Sequence, residues 1–279
     1  MQLAARLALD QLILVRIQAG QFLNHNPLQL NKLQRVFCFM YNGLVITSKD
    51  YDDRIISQGL SFQIDNYYEP KGVAEKRRIN IVMEALNPKP GEIILDVGCG
   101  VGTFAFHSAK LGAKAFGIDY SPESIKAANA LCVRFGITQN VSFVVGDAAQ
   151  LPYKNEYFDK IVTADFIEHI TLNEKEALVR EMYRVLKPEG IAVVFTPNGI
   201  REKIGYYYWK ARNLLFRDRI PTTELHYGLT HKSEFEKICR RHHFKLRLQY
   251  EDVTRPFLGK IPLLRNVLAL DLLWKMKKK

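Results

Sequence analysis

The sequence predicts an α/β protein whose core is a mainly parallel β-sheet with helices on both faces. Short β-branched runs alternate with amphipathic helical segments between residues 92 and 199, and such alternation builds parallel sheets through right-handed crossovers. The first apolar run, residues 93–97, leads directly into the glycine turn Gly98-Cys99-Gly100-Val101-Gly102. The second run ends on an acidic residue, Asp119. Together these features favour a sheet that carries a ligand at the carboxyl ends of its strands.

Each element follows from its own hydrophobic period. Strands are predicted at residues 92–97, 114–118, 141–145, 158–163 and 191–196. Helices are predicted between them at Thr103–Leu111, Glu123–Phe135 and Glu174–Leu186. A further helix at Ser233–Arg241 and a strand near Phe244–Tyr250 complete the pattern.

The chain is expected to divide into three parts. Its 279 residues suit one domain of about 200 residues with additions. Residues 1–66 are predicted to form a helical extension that acts as a lid, and residues 67–250 the main domain, with an insertion at 200–230. Residues 251–279 are predicted to be a basic amphipathic tail.

The glycine turn and Asp119 indicate a nucleoside-cofactor site. Glycines let a backbone adopt positive φ and approach a ligand closely. The helix that follows directs its free N–H groups and positive dipole end at the turn, and a carboxylate after the second strand is placed to accept hydrogen bonds from ribose hydroxyls. A dinucleotide fingerprint would require a third glycine where Thr103 stands.

Four ordered motifs carry a family resemblance. The pattern Asp96-x-Gly98-x-Gly100-x-Gly102 resembles motif I of the class I S-adenosyl-L-methionine (SAM)-dependent methyltransferases. The same family is resembled by Gly146-Asp147-Ala148, by Asp165-Phe166-Ile167-Glu168-His169-Ile170, and by Arg184-Val185-Leu186-Lys187-Pro188-Glu189-Gly190, where Glu189 replaces the usual first glycine. The block ending in Glu168-His169-Ile170 is close to the ubiquinone/menaquinone-biosynthesis-like (methyltransferase type 11) members. The resemblance covers residues 71–199 well.

The resemblance implies a Rossmann-like fold, with a seven-stranded sheet that ends in an antiparallel strand pair. It implies SAM as cofactor and S-adenosylhomocysteine (SAH) as product. In this reading Asp119 holds the ribose, Asp147 binds the adenine amino group, and Tyr120 and Ala148 flank the adenine ring. The full set of expected cofactor-binding residues is Asp96, Gly98, Cys99, Gly100, Gly102, Asp119, Tyr120, Asp147, Ala148 and Asp165.

The implied reaction is an in-line displacement at a methyl group, in which the protein positions the reactants and excludes water. A base is needed only if the acceptor must lose a proton. His169, after the fourth strand, and His226, in the insertion, are candidates; each has the alternative of only packing or hydrogen-bonding locally. Tyr67, Tyr68 and Tyr227 are expected on the substrate side, although Tyr67 and Tyr68 are equally compatible with the core.

The charge distribution points to the acceptor. The net charge is +11, and residues 200–279 contain 19 basic and 8 acidic side chains, so the whole excess lies there. Aromatic and aliphatic residues mixed with this charge are typical of contact with an anionic membrane surface. We therefore expect a small or amphiphilic acceptor, such as a quinone precursor, a lipid or a lipid-linked glycan, methylated on oxygen or carbon. The alternatives are a solvated basic surface and a tail whose leucines pack on the domain.

The main rival function is methylation of RNA or protein, with the basic C-terminal region holding an anionic substrate. Nucleic acid is disfavoured because no N-P-P-Y-type motif follows the fourth strand, where the chain reads Ala164-Asp165-Phe166. A non-catalytic subunit with the same fold is disfavoured by the intact glycine turn.

Cysteine usage and hydropathy bound the remaining possibilities. Cys38, Cys99, Cys132 and Cys239 form no C-x-x-C pair, so no structural metal is expected and a reducing compartment is favoured. The uncharged stretch at residues 36–48 has 13 residues, fewer than the ~20 that span a bilayer, and the N-terminus lacks a clear cleavage site. The expectation is a cytoplasmic protein that contacts the inner face of the membrane peripherally.

Overall fold

The computed structural model describes residues 48–216, 228, 230–251 and 261–279. The strands are β1 Ile93–Val97, β2 Lys114–Asp119, β3 Val141–Val145, β4 Phe158–Ala164, β5 Leu186–Pro197, β6 Lys245–Glu251 and β7 Asp271–Lys277. The helices are α1 Ser48–Gln63, α2 Val73–Leu86, α3 Thr103–Lys110, α4 Pro122–Arg134, α5 Leu172–Val185, α6 Gly199–Phe216, α7 Lys232–Arg241 and α8 Pro262–Leu268. A π-helical turn, Ile64–Tyr68, follows α1, and a 3-10 turn, Ile167–His169, follows β4.

The seven strands form one sheet in the order β3-β2-β1-β4-β5-β7-β6. Neighbours from β3 to β5 pair in parallel, whereas β7 pairs antiparallel with both β5 and β6. This confirms the predicted mainly parallel sheet with its antiparallel end. The order reverses at β1, between β2 and β4, and a crevice for ligands opens at the carboxyl ends of strands at such a point.

The sheet is buried on both faces, as parallel sheets usually are. Successive residues of β1 alternate between two apolar clusters: Leu95 and Val97 pack with residues of α5 and α7, and Ile94 packs with residues of α2. The helices therefore cover both faces, as predicted, and hold the strand ends in fixed positions.

The predicted tail contains a strand of the sheet. Residues 271–277 form β7, which lies between β5 and β6, and Leu272, Leu273 and Trp274 are buried. An interfacial helix is therefore wrong for this part of residues 251–279. The alternative, in which apolar residues pack on the domain, is what the structure shows for it.

Strand β5 begins five residues earlier than predicted, at Leu186 instead of residue 191. The register of β4 with β5 shifts between Phe158 and Lys160, and Glu189 has a φ of 63°. That left-handed conformation explains why the related motif carries a glycine at this position. The Glu189 carboxylate is paired with Lys277 on β7.

The π turn Ile64–Tyr68, which follows α1, crosses the expected boundary at residue 66. Within the described ranges, no helix is both long and apolar enough to span a bilayer.

Candidate active site

The glycine turn lies between β1 and α3, and each of its glycines has a positive φ. The values are 67° at Gly98, 50° at Gly100 and 84° at Gly102. A Cβ at Gly98 would lie 2.4 Å from the Phe166 ring, and one at Gly102 would lie 2.5 Å from the Phe143 ring. A Cβ at Gly100 would meet nothing within 4 Å. Gly98 and Gly102 therefore permit close packing within the protein, whereas Gly100 borders open space.

Asp96 supports the turn from beneath. Its Oδ2 atom accepts hydrogen bonds from the backbone N–H groups of Phe104, at 3.2 Å, and Ala105, at 3.0 Å. These N–H groups belong to the first turn of α3 and have no partner within the helix. Burial raises the pKa of Asp96 to about 7, against the lowering effect of the two N–H donors. Asp96 thus positions the glycine turn through α3, and this carboxylate is already used within the protein.

Asp119 ends β2 and faces the turn. Its Oδ2 atom accepts a hydrogen bond from the Gly100 N–H at 2.8 Å, and its Oδ1 atom accepts one from the Ser121 N–H at 2.9 Å. Burial raises its pKa, while these donors and that of Tyr120 act to lower it. A carboxylate oxygen has more than one lone pair, so Asp119 retains acceptor capacity for ribose hydroxyls beside Gly100.

The predicted adenine residues lie on the neighbouring strand ends. Asp147 follows β3, is exposed, and accepts a hydrogen bond from the Ala149 N–H at 2.8 Å. Ala148 is half-buried and packs against the core. Tyr120 is half-buried directly after Asp119. The two strand ends are adjacent because Asp119 pairs with Val145 in the sheet register.

Asp165, after β4, forms an ion pair with Arg78 of α2. The Asp165 φ is 51°, and its N–H donates to the Phe195 carbonyl oxygen at 3.0 Å. The Arg78 guanidinium also lies 5.3 Å from the centre of the Tyr67 ring. The predicted residues Asp165 and Tyr67 are thus brought together by an arginine that the sequence motifs did not indicate.

Glu168 lies in the 3-10 turn after β4 and is 1% exposed. Its Oε2 atom accepts a hydrogen bond from the Thr196 hydroxyl at 2.9 Å. Burial, and then the charge of Asp165, raise the pKa of this carboxyl. The Glu168 carbonyl oxygen accepts a hydrogen bond from the Gly228 N–H at 2.8 Å, so the end of the insertion is held against this turn.

His169 is half-buried and faces helix α1. The Tyr51 ring of α1 lies edge-on to His169, with 6.0 Å between ring centres, and edge-on to Tyr120 at 6.5 Å. Tyr51 therefore lies between the end of β2 and the turn after β4. The role of His169 as a base stays a prediction.

Two expected substrate-side residues have other outcomes. Tyr68 is 2% exposed, and its hydroxyl donates to the Val101 carbonyl oxygen at 2.5 Å, so the structure corrects its assignment from substrate contact to core. Tyr227 lies outside the described residues, as does His226.

Cys99 is buried and its N–H donates to the Ile118 carbonyl oxygen. Burial raises the pKa of its thiol, which suits a packing role.

The sequence motifs missed Arg78, Tyr51 and Asp52. Each lies in a helix before the first motif, and each reaches its partner across a long stretch of chain. The N-cap of α4 was detectable, since Ser121-Pro122 is a common helix start. Nothing local indicates that the Asp52 carboxylate accepts hydrogen bonds there, from the Ser121 hydroxyl and the Glu123 N–H. Across the part of the chain that the structure describes, no group of three or more His, Cys, Asp or Glu residues is arranged to hold a metal ion.

Comparisons with known proteins agree with this geometry. Residues 94–190 match a family model described as a methyltransferase domain. The norajmaline N-methyltransferase of Rauvolfia serpentina is 39% identical over 125 residues, which are 44% of this chain and 42% of that protein. A probable chloroplastic tocopherol O-methyltransferase of Oryza sativa subsp. japonica is 33% identical over 125 residues, 44% of this chain and 34% of that protein. The chain thus matches less than half the length of these curated relatives.

A solved structure shows the same fold. Phosphoethanolamine N-methyltransferase 2 of Haemonchus contortus, in complex with SAM, superposes with a TM-score of 0.59 at 18% identity, over 85% of this chain and 61% of that one. The sheet order and the glycine turn agree with the match of residues 94–190 to a methyltransferase domain, so this part of the chain is similar to the class I SAM-dependent methyltransferases. The matching family is a general one, so the ubiquinone/menaquinone-like subfamily stays a prediction.

Proposed function

We propose that this protein transfers the methyl group of SAM to a small or amphiphilic acceptor molecule. The observation that carries the proposal is the arrangement of Gly100 and Asp119: a backbone that borders open space, hydrogen-bonded to a carboxylate with spare acceptor capacity. These residues fit a nucleoside cofactor, since Asp119 lies where ribose hydroxyls can donate to it and Gly100 admits close approach. SAM, when bound, supplies a methyl group carried on a sulfonium. After the methyl group is transferred, the rest of the cofactor leaves as the thioether SAH.

The chain's own residues are proposed to bind the cofactor, orient the reactants and exclude water. Asp96 and Asp119 fix the glycine turn through backbone hydrogen bonds, so the turn is ordered before a ligand arrives. The ion pair of Arg78 with Asp165 holds the segment after β4, whose Phe166 ring packs on Gly98. For an oxygen acceptor, His169 in that segment is proposed as the group that accepts the departing proton.

The acceptor atom is proposed to be oxygen, carbon or nitrogen. Oxygen and carbon follow from the resemblance to the quinone-biosynthesis methyltransferases. Nitrogen is added because the Rauvolfia relative is named for N-methylation, while the rice relative is named for O-methylation of tocopherol, an amphiphilic acceptor. A neutral amine acceptor has a free lone pair and needs no base before transfer, so the proton-accepting role of His169 applies to acceptors that lose a proton, on oxygen or on carbon.

The first test is calorimetric titration of the purified protein with SAH. Saturable binding supports the cofactor site, and absence of binding overturns the proposed function. Transfer of labelled methyl from SAM is then measured on a panel containing a phenol, a hydroquinone, a tertiary amine and a carbon acid. His169→Gln is expected to lower turnover of the phenol more than that of the amine. Equal loss on both acceptors would contradict the proton-accepting role.

A further inference from the structure

Helix α1 docks on helix α4 through the side chain of Asp52. The Asp52 Oδ1 atom accepts a hydrogen bond from the Ser121 hydroxyl at 2.5 Å and one from the Glu123 N–H at 3.1 Å. The Glu123 N–H is one of the first in α4, where helical N–H groups lack a partner within the helix. A carboxylate is also favoured at this positive helix end. Asp52 therefore completes the cap of a helix that begins three residues after Asp119.

Ser121 connects Asp52 with Asp119. Its N–H donates to Asp119 Oδ1 at 2.9 Å, and its hydroxyl donates to Asp52 while accepting from the Ser124 N–H at 3.0 Å. Ser121 is fully buried. If α1 moved away, the Ser121 hydroxyl and the Glu123 N–H would lose the charged acceptor that Asp52 provides, and a hydrogen bond to a charged group contributes more than a neutral one. The docking of α1 is thus linked to the position of Asp119.

The same segment is tied to the glycine turn at its other end. After Gly59, where φ is 69°, the chain continues into the π turn that ends at Tyr68. The Tyr68 hydroxyl donates to the carbonyl oxygen of Val101, between Gly100 and Gly102. Residues 48–68, hereafter the strap, are therefore fixed both to the glycine turn and to the start of α4.

Tyr51 places an aromatic ring beside Tyr120 and His169. It precedes Asp52, and its ring lies edge-on to Tyr120 on one side and to His169 on the other. Tyr120 follows the ribose carboxylate, and His169 follows β4. The strap thereby positions the Tyr51 ring between the end of β2 and the turn after β4.

We propose that the strap is part of the cofactor site: Asp52 is a positioning residue that sets Asp119 through Ser121, and Tyr51 closes the crevice over the bound nucleoside. The proposal rests on the proposed function, since it takes SAM and SAH to lie against Gly100 and Asp119. Strap docking and cofactor binding then stabilise each other, because coupling between two sites is reciprocal. SAH should order the strap, and loss of the docking contact should weaken SAH binding.

The test compares Asp52→Ala, Asp52→Asn and the control Asp53→Ala, which alters the exposed neighbouring carboxylate. SAH affinity is measured by calorimetry, and hydrogen exchange of residues 48–58 is measured with and without SAH. Asp52→Ala is expected to weaken SAH binding by about tenfold or more, the size of one charged hydrogen bond, and to abolish the SAH-dependent protection. Asp52→Asn keeps an oxygen acceptor and should retain most of the SAH affinity and most of the SAH-dependent protection. Asp53→Ala should match the wild type in both measurements.

Two results overturn the proposal: unchanged SAH affinity in Asp52→Ala, or strap exchange in the wild type that SAH does not slow. A purely structural contact would protect the strap equally with and without SAH. If Asp52→Ala does not fold, Tyr51→Ala decides, because it leaves the Asp52 contacts in place; weaker SAH binding supports the proposal, and unchanged binding overturns it. Failure of the wild type to bind SAH at all is a different result, which removes the proposed function itself.

Discussion

Asp119 and Gly100 are joined by a 2.8 Å hydrogen bond from the glycine N–H to the carboxylate. The residue expected to hold the ribose therefore also fixes the turn against which the cofactor is expected to lie. One side chain serves two purposes, so its removal should affect the site more than a single ligand contact would.

Asp119→Ala is expected to abolish SAH binding while the domain stays folded. The variant removes the proposed ribose acceptor and leaves the Gly100 and Ser121 N–H groups, whose hydrogen bonds are partly buried, without their acceptor, at a total cost of about 1–3 kcal/mol. Calorimetry with SAH and a thermal melt measure the two effects. Asp147→Ala, at an exposed carboxylate after β3, is the comparison and should weaken binding by about tenfold or less. Wild-type affinity in Asp119→Ala would remove this carboxylate from the site.

Gly100→Arg and Gly102→Ala should separate binding from stability. A side chain at Gly100 enters the open space beside the turn, so Gly100→Arg should abolish SAH binding while adding only about 1–2 kcal/mol of left-handed backbone strain. A Cβ at Gly102 would lie 2.5 Å from the Phe143 ring, so Gly102→Ala should lower the melting temperature more. Chemical unfolding and SAH titration measure both quantities. A larger stability loss in Gly100→Arg than in Gly102→Ala would contradict the assignment of the open space.

The sequence was informative where structure is local. The strands β1 to β4 and the glycine turn follow from short periodic patterns, and they came out within about two residues of prediction, the usual uncertainty of element ends. The ion pair of Arg78 with Asp165 and the contact of Asp52 with Ser121 span 87 and 69 residues. No local pattern specifies such partners, because they depend on how the helices dock.

The prediction of an interfacial tail was wrong at residues 271–277 for a related reason. Leu272, Leu273 and Trp274 are consecutive apolar residues, and a strand buried on both faces reads as a continuous apolar run that period alone does not distinguish from a helix. Their partners in β5, such as Val194 opposite Trp274, lie far away in the sequence. The lysines next to this run suggested a membrane interface, whereas Lys278 is buried and donates to the Leu186 carbonyl oxygen at 2.7 Å.

Deleting residues 271–279 is expected to abolish cooperative unfolding. The deletion removes β7 from between β5 and β6, and with it the buried Trp274, whose loss alone is worth about 3–5 kcal/mol. Near-ultraviolet circular dichroism and a thermal melt report the result. Removal of Lys279 alone, an exposed residue beyond β7, should leave the melt unchanged. A truncated protein that melts cooperatively at the wild-type temperature would show that β7 is dispensable.

Asp96→Asn should change how stability depends on pH. Because burial raises the pKa of folded Asp96 to about 7, against about 3.9 in an unfolded chain, the folded state binds the extra proton between these values. This group's contribution is thus full below about pH 4 and is lost as the pH rises through about 7. An asparagine keeps an oxygen for the Phe104 and Ala105 N–H groups and does not titrate.

The measurement is the free energy of unfolding in denaturant at pH 5 and pH 7.5. The wild type should lose more stability over this interval than Asp96→Asn does, and the difference between the two isolates Asp96 from other titrating groups. Equal losses in the two proteins would show that Asp96 keeps an ordinary pKa and is ionised throughout.

Arg78→Met is expected to lower both stability and SAH affinity. Arg78 is the ion-pair partner of Asp165, and its charge also acts to lower the pKa of Asp96 and of Asp271. Without it, the Asp165 carboxylate is left unpaired near Asp271, at a cost of about 1–2 kcal/mol, between the values for exposed and buried pairs because both side chains of the ion pair retain contact with water. The segment that packs Phe166 on Gly98 should shift with Asp165 and weaken SAH binding.

Two variants accompany this measurement. Arg78→Lys keeps the charge and should recover part of the stability and affinity, although it loses the planar guanidinium that packs near Tyr67. Lys76→Met removes an exposed charge from the same helix and should match the wild type in denaturant unfolding and SAH titration. If Arg78→Met retained wild-type values in both, the ion pair with Asp165 would be a surface contact without influence on the glycine turn.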